Sequence, residues 1–182
     1  MDMERIVLVN QLGRPTGDAP KLESHHANTP MHLAFSSYIF NTNGQLLVTQ
    51  RADSKKVWPG VWTNTCCGHP APAESMTDAI NRRLAYELGM TGTNITEIIS
   101  DYSYKTPPYR GVIENEWCPI YAGIANTDPV PNPAEVMGWR WVSWDEYQVQ
   151  LSSDNNDIWS WWCKDQLKQL LASGLFKKYT AQ

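Results

Sequence analysis

No run in this 182-residue chain approaches the ~20 consecutive apolar residues that a membrane-spanning helix needs. The opening stretch, Met1 to Asn10, holds an apolar run too short for a secretory core and sets acids before it, so no leader is expected. Positive charge is in short supply: 15 Lys and Arg against 19 Asp and Glu leave a net charge of −4. Without a basic stripe, a nucleic-acid partner is not expected. The four cysteines, Cys66, Cys67, Cys118 and Cys163, lack the spacing of a disulfide framework, and a reduced, cytoplasmic chain is the expectation. Repeats, low-complexity tracts and linkers are also missing. The length suits one domain, residues 1–182, with a sizeable core. Phenylalanine is scarce at three, while tryptophan reaches nine and falls mostly late in the chain, where core packing accounts for most of it.

Hydrophobic periodicity and turn chemistry give an element order. Residues 4–9 read as a strand, 11–17 as a turn and 21–32 as a polar segment carrying three of the four histidines. Leu33 to Phe40 and Gln45 to Arg51 read as two strands joined by Asn41-Thr42-Asn43-Gly44, since Asn-Gly tolerates positive φ. Val61 to Cys66 reads as a short strand. Met76, Ala79, Ile80, Leu84 and Leu88 recur at helical spacing, with Ser75 as N-cap and Gly89 as terminator. Ile95 to Tyr104, Val112 to Ile124 and Glu135 to Val142 read as strands, with Pro107 to Gly111 as a loop. Ser143-Trp144-Asp145-Glu146 has the form of a capping box. A closing helix spans Trp159 to Ala172 and ends at Gly174. These elements predict an α+β fold, a mixed sheet with flanking helices.

Chemistry concentrates in two places. Cys67 lies in Thr65-Cys66-Cys67-Gly68-His69-Pro70, two residues before His69. Glu114 and Glu116 are also two apart, so a strand turns both to one face. A thiol, an imidazole and two same-face carboxylates suit metal-supported proton transfer. Cys66 would face the other side of a strand from Cys67, and Cys118 and Cys163 read as small buried hydrophobes.

Between these places runs a longer frame: Gly68, five residues, Glu74, seven residues, then Arg82-Arg83-Leu84-Ala85-Tyr86-Glu87-Leu88-Gly89-Met90. It resembles the Nudix box, and the resemblance implies a Nudix-like core over about 30–145, followed by a helical segment over about 143–175. Two acids of the box are replaced, by Arg83 and Tyr86. A Nudix hydrolase gathers magnesium with that carboxylate cluster to cleave a diphosphate, whereas only Glu87 remains here to hold an ion.

The altered box, together with Cys67-Gly68-His69-Pro70 and Glu114-Asn115-Glu116, is similar to type I isopentenyl-diphosphate isomerases. Arg51 to Asn64 and His32-Leu33-Ala34-Phe35-Ser36 are similar to further segments of that family, so the resemblance runs from about Lys21 to Trp162. It implies a divalent-metal site (Mn2+, Zn2+ or Mg2+) of His25, His32, His69, Glu114 and Glu116, with His26 outside it. A second ion, Mg2+ carried by the substrate diphosphate, would be held with Glu87. Lys21, Arg51, Lys55 and Arg83 match the diphosphate-binding set, and Trp161 aligns best with the tryptophan over the hydrocarbon end, with Trp159 and Trp162 left open. Cys67, Glu116 and Tyr104 are implied as catalytic, interconverting isopentenyl and dimethylallyl diphosphate through a tertiary carbocation. In the direction expected, Glu116 helped by Tyr104 gives a proton to the methylene and Cys67 takes one from the allylic carbon. Partners are then a small-molecule diphosphate, without nucleic acid or membrane, in a monomer or homodimer. Two other readings stand beside this one: a Nudix pyrophosphohydrolase, and an inactive Nudix-like module that binds a diphosphate or a metal.

Overall fold

The structure, a computed structural model, describes residues 4–174 and 176–180. In chain order the elements are β1 (Arg5–Val9), β2 (Pro15–Pro20), α1 (Lys21–Ser24), β3 (His32–Leu33), β4 (Phe35–Phe40), β5 (Leu46–Arg51), β6 (Trp62–Thr63), β7 (Cys66–Gly68), α2 (Met76–Leu88), β8 (Thr93–Ile99), β9 (Ser103–Lys105), β10 (Asn115–Trp117), β11 (Ile120–Ile124), β12 (Val136–Val142), α3 (Trp144–Ser152), α4 (Trp161–Ser173) and α5 (Lys177–Thr180).

Two sheets replace the single one expected. The smaller runs β2-β1-β3-β10-β9, and the larger runs β12-β5-β4-β11-β8, with β6 paired to β5 and β7 to β4. Three segments read as unbroken strands, 33–40, 95–104 and 112–124, in fact pass from one sheet to the other. They break side by side, at Ala34, at residues 100–102 and at Cys118-Pro119. Pro119 has no N–H to give to a ladder. The bend keeps its backbone partners all the same: Ala34 N donates to Trp117 O at 2.8 Å, Cys118 N to Tyr102 O at 2.9 Å and Ser36 N to Pro119 O at 3.1 Å.

The other boundaries move for local reasons. The expected turn at 11–17 yields its second half to β2, which pairs with β1. The 61–66 strand divides into β6 and β7 because the two residues between them satisfy the sheet with side chains. Thr65 Oγ1 accepts from Ile39 N at 2.9 Å and donates to Leu47 O at 2.6 Å, while Asn64 Nδ2 donates to Ser37 O at 3.0 Å. The closing helix starts at Trp161, not Trp159, because residues 158–160 run alongside β6: Trp62 N donates to Ile158 O at 2.7 Å and Ser160 N to Trp62 O at 2.8 Å. The caps are as expected for α2, where Ser75 accepts from Asp78 N and Gly89 takes φ +61°. The box opening α3 is half formed. Ser143 Oγ accepts from Glu146 N, but the Glu146 carboxylate accepts from Gln150 instead.

All six residues of β4 are buried, so this strand is covered on both faces. Phe35 and Ile39 pack with Leu47 and with Ile80, Leu84 and Leu88 of α2. Tyr38 and Phe40 pack on the opposite side with Tyr147, Leu151, Trp159, Leu167 and Leu170. Helices thus cover the larger sheet on both sides, and the edge of β7 with the bend between the sheets is left to form a cleft.

Candidate active site

Register places the first three groups. Glu116 of β10 pairs with Tyr104 of β9 on one side and with His32 of β3 on the other. His69 follows β7 directly, and His25 caps the C-terminus of α1. The three imidazole centroids lie 4.9 to 5.5 Å apart. His69 Nε2 is 3.1 Å from His32 Nε2 and 3.2 Å from Glu116 Oε1, and His25 Nε2 is 3.5 Å from Glu114 Oε2. His26 is exposed, with Nδ1 accepting from Asn28 N.

This donor set fits a divalent cation. His25 Nδ1 donates to Lys21 O at 2.6 Å and His32 Nδ1 to Pro30 O at 2.9 Å. A carbonyl only accepts, so both rings donate from Nδ1, and in the neutral ring Nε2 is the nitrogen left to bind an ion. One ligand atom from each of His25, His32 and His69, and one from each of His32, Glu114 and Glu116, fall into groups within 4.8 Å. Glu114 Oε2 and His69 Nδ1 are buried with no hydrogen-bond partner. Burial lowers the His25 pKa and takes His69 down to about 3, keeping these rings neutral. Burial also acts on His32, but the Glu116 carboxylate outweighs it and raises that pKa. Glu114 is pushed up to about 7 by burial and by the charge of Glu116. Burial pushes Glu116 up as well, yet the hydrogen bonds of His32 and His69 hold it well below the usual carboxylate range.

The second oxygen of Glu116 looks the other way. Its Oε2 accepts from the Tyr104 hydroxyl at 2.7 Å, and burial followed by the Glu116 charge keeps that phenol protonated. Cys67, on β7, donates to Asn64 Oδ1 at 3.1 Å and lies 3.5 Å from Ser36 Oγ, its cross-strand partner. Burial, then the neighbouring Cys163, pushes the thiol up to about 12. Cys66 packs into the opposite core with Phe35 and Ile39, and its thiol reaches Glu87 Oε1 at 3.4 Å.

These groups share one cleft of about 830 Å3. Cys67, Tyr104, Glu114 and Glu116 line it, as do His25 and His69. Its mouth carries the four expected cations, Lys21, Arg51, Lys55 and Arg83, together with Glu87. Each cation already has a partner. Lys21 pairs with Glu4 at 3.0 Å, Lys55 with Glu135 at 2.6 Å, and Arg83 with Glu87 at 2.6 Å and Glu135 at 3.2 Å. Arg51 donates to the carbonyls of Trp58 and Val57. Arg83, standing where the box has an acid, therefore occupies the Glu87 carboxylate with a guanidinium. Arg82 and Glu74, the retained residues of the box, form a two-pronged pair at 2.7 Å, and Arg82 also donates to His69 O at 3.1 Å. They brace the loop that carries His69.

Two expected residues do not line the cleft. His32 is fully buried beneath it. The Trp161 ring packs on Tyr104, centroids 5.8 Å apart, and Trp162 is the tryptophan of that trio in the wall. Sequence reasoning assigned no role to Trp58, which crosses Trp162 edge to face at 5.6 Å, to Glu135, or to Asn64 and Ser36 beside the thiol. None of these stands in a readable spacing.

The chain matches the NUDIX domain over residues 30–162, a span that takes in α3 and the first two residues of α4. It is 47% identical over 172 residues to an isopentenyl-diphosphate Delta-isomerase of Saccharopolyspora erythraea, covering 94% of this chain and 88% of that one. It is 49% identical over 141 residues to a protein of the same name from Shigella flexneri, covering 78% of each. Among solved structures, a Deinococcus radiodurans protein superposes with a TM-score of 0.70 at 16% identity, covering 91% of this chain and 98% of that one. The MutT protein of Methanosarcina mazei gives 0.59 at 17% identity, covering 84% and 97%. At these identities the structures speak for the fold alone.

Proposed function

The chain belongs to the isopentenyl-diphosphate Delta-isomerases of the NUDIX-domain family, and from that premise we propose that Cys67 and the Glu116–Tyr104 pair carry its proton transfers. The enzyme interconverts isopentenyl and dimethylallyl diphosphate. Moving an unactivated double bond needs one proton added and another removed, through a tertiary carbocation. The observation that carries the proposal is one cleft holding a half-buried thiol and a buried carboxylate bonded to a half-buried phenol, with four cations at its mouth.

Lys21, Arg51, Lys55 and Arg83 would hold the diphosphate through charge-assisted hydrogen bonds, and Glu87 would help to hold a magnesium ion carried by it. His25, His32, His69, Glu114 and Glu116 would hold a divalent metal, which when bound fixes the geometry and acidity of Glu116. Trp162, Trp58 and Tyr104 line the cleft and offer π faces to a cation. One catalytic group gives a proton to the methylene carbon while the double-bond electrons form the new C–H bond. The other then takes a proton from the allylic carbon, and that C–H pair becomes the new double bond. A thiol at Cys67 and a carboxylate at Glu116, the protonation of the metal-free site, is the state in which Cys67 gives first. The opposite direction, expected from the sequence, requires the proton to start on Glu116 and Cys67 to be a thiolate.

The hydrolase alternative lacks two of its acids: Arg83 and Tyr86 stand where the box has carboxylates. C67S and E116Q proteins test the proposal. Both should lose turnover while remaining folded, and near-normal turnover in either would remove that residue from the reaction.

A further inference from the structure

Asn64 sits between β6 and β7, fully buried and three residues before Cys67. Its amide orientation is set by its surroundings. Nδ2 donates to Ser37 O at 3.0 Å and to Cys66 O at 3.2 Å. Both are carbonyls, so a flipped amide would set oxygen against oxygen. Oδ1 must face the other way, where every neighbour can donate: Thr63 Oγ1 at 2.9 Å, Cys67 Sγ at 3.1 Å, Trp162 Nε1 at 3.2 Å and Cys163 Sγ at 3.4 Å. The Asn64 backbone N–H in turn donates to Cys163 Sγ at 3.1 Å, tying the residue to α4. Three of the four side chains at Oδ1, Thr63, Cys67 and Trp162, are walls of the cleft.

A second polar chain approaches the sulfur. Tyr38 donates to Gln166 Oε1 at 2.7 Å, and Gln166 Nε2 donates to Ser36 Oγ at 2.8 Å. The Ser36 hydroxyl stands 3.5 Å from both Cys67 Sγ and Cys118 Sγ. Ser36 is thereby held in place, but it is shared between two sulfurs and sits at the long end of a contact. Asn64 is the shorter partner of the thiol, and of these two residues it is the one that also meets the Trp162 indole, whose N–H it shares with Thr63 Oγ1 at 2.9 Å.

We propose that Asn64 is a positioning residue for the isomerisation: one amide oxygen aims the Cys67 S–H and anchors the Trp162 indole, fixing the thiol against the aromatic wall. The inference rests on the reading of Cys67 as a proton-transfer group. A thiol that turns away from Asn64 leaves its reaction geometry, and displacement on the order of 1 Å costs about 100-fold in rate.

The test compares N64L and N64D with the unaltered protein, reading kcat, KM and the Cys67 S–H stretch in infrared difference spectra against C67A. The unaltered protein should show the band of a hydrogen-bonded thiol. In N64L the band should move to the free-thiol position, and kcat should fall about 10- to 100-fold with KM changed less than about threefold. N64D, protonated on the oxygen that faces the Ser37 and Cys66 carbonyls, keeps an acceptor at Oδ1, so it should retain the bonded band and turn over faster than N64L. W162F provides an arm that leaves Asn64 intact: removing a competing donor should move the band further toward the bonded side. A free-thiol band in the unaltered protein, or N64L with unchanged kcat, would overturn the proposal. Normal turnover in C67A would instead remove the reading of Cys67, whatever N64L does.

Discussion

The Tyr104 hydroxyl donates to Glu116 Oε2 at 2.7 Å, and the β9–β10 register pairs the same two residues across the ladder. The bond is therefore held by backbone as well as by side chains. It leaves Oε1 for His32 and His69, so a single carboxylate joins the metal cluster to the proton-transfer pair.

Replacing Glu116 by Gln should strike both functions at once. The amide cannot supply two anionic oxygens, and turnover should fall by about 10²- to 10⁴-fold, the ordinary worth of an acid–base group. Metal content, measured by elemental analysis after dialysis, should fall too. Y104F should lower turnover without loss of metal, since it touches only Oε2.

Metal uptake should release protons. Glu114, raised to about 7, and His32, raised from its usual value, hold protons in the metal-free site that an incoming ion must displace. Below about pH 7 Glu114 is more protonated, so affinity falls as pH falls. Above it the release fades. Calorimetry of the apo protein with manganese, in buffers of different ionisation enthalpy, should show that release. Stability runs with two signs. His69, lowered to about 3, destabilises the metal-free fold as pH falls through the window between 6.5 and 3, because the unfolded chain binds the proton that the fold refuses. Glu114 acts oppositely: its contribution is present at low pH and is lost as pH rises through about 7.

R83A should raise KM for the diphosphate by about 10-fold or more and change kcat less, because it removes a cation that binds ground and transition states alike. The same change frees Glu87 and Glu135 from their shared guanidinium. R83E should lose isomerase activity without gaining hydrolase activity, since Tyr86 still stands at the second missing acid. Phosphate release is the assay for that gain.

R82A should cost little stability, about 0.5–1 kcal/mol, because the pair with Glu74 is largely at the surface. Its larger effect should be on metal affinity, through the lost hydrogen bond to His69 O. Equal losses in melting temperature and metal affinity with E74A and R82A would fit a brace formed by the two together.

Some of this geometry was legible in the chain. The spacing of two between Glu114 and Glu116 marks one face of an extended segment, and both carboxylates do converge on His32 although Glu114 stands just before β10. Ser75, Gly89 and Asn41 to Gly44 act locally, so their caps and turn were readable. The bend between the sheets was not: it depends on three strands breaking together, and each segment alone looks continuous. His25 and His32 carry no spacing that distinguishes them from ordinary histidines; the family resemblance singled them out. Asn64 and Gln166 were invisible for a related reason. Gln166 meets Tyr38 across 128 positions and Asn64 meets Trp162 across 98, so only the packing of α4 brings them to the thiol.

The central claim is proton addition and removal by groups of this cleft, and proton NMR in deuterium oxide tests it most directly. The protein, magnesium and isopentenyl diphosphate are followed over time. The account predicts dimethylallyl diphosphate with deuterium in its new methyl group, and no such product from C67A or E116Q. Product without deuterium, equal turnover in those variants, or release of phosphate in place of the isomer would contradict it.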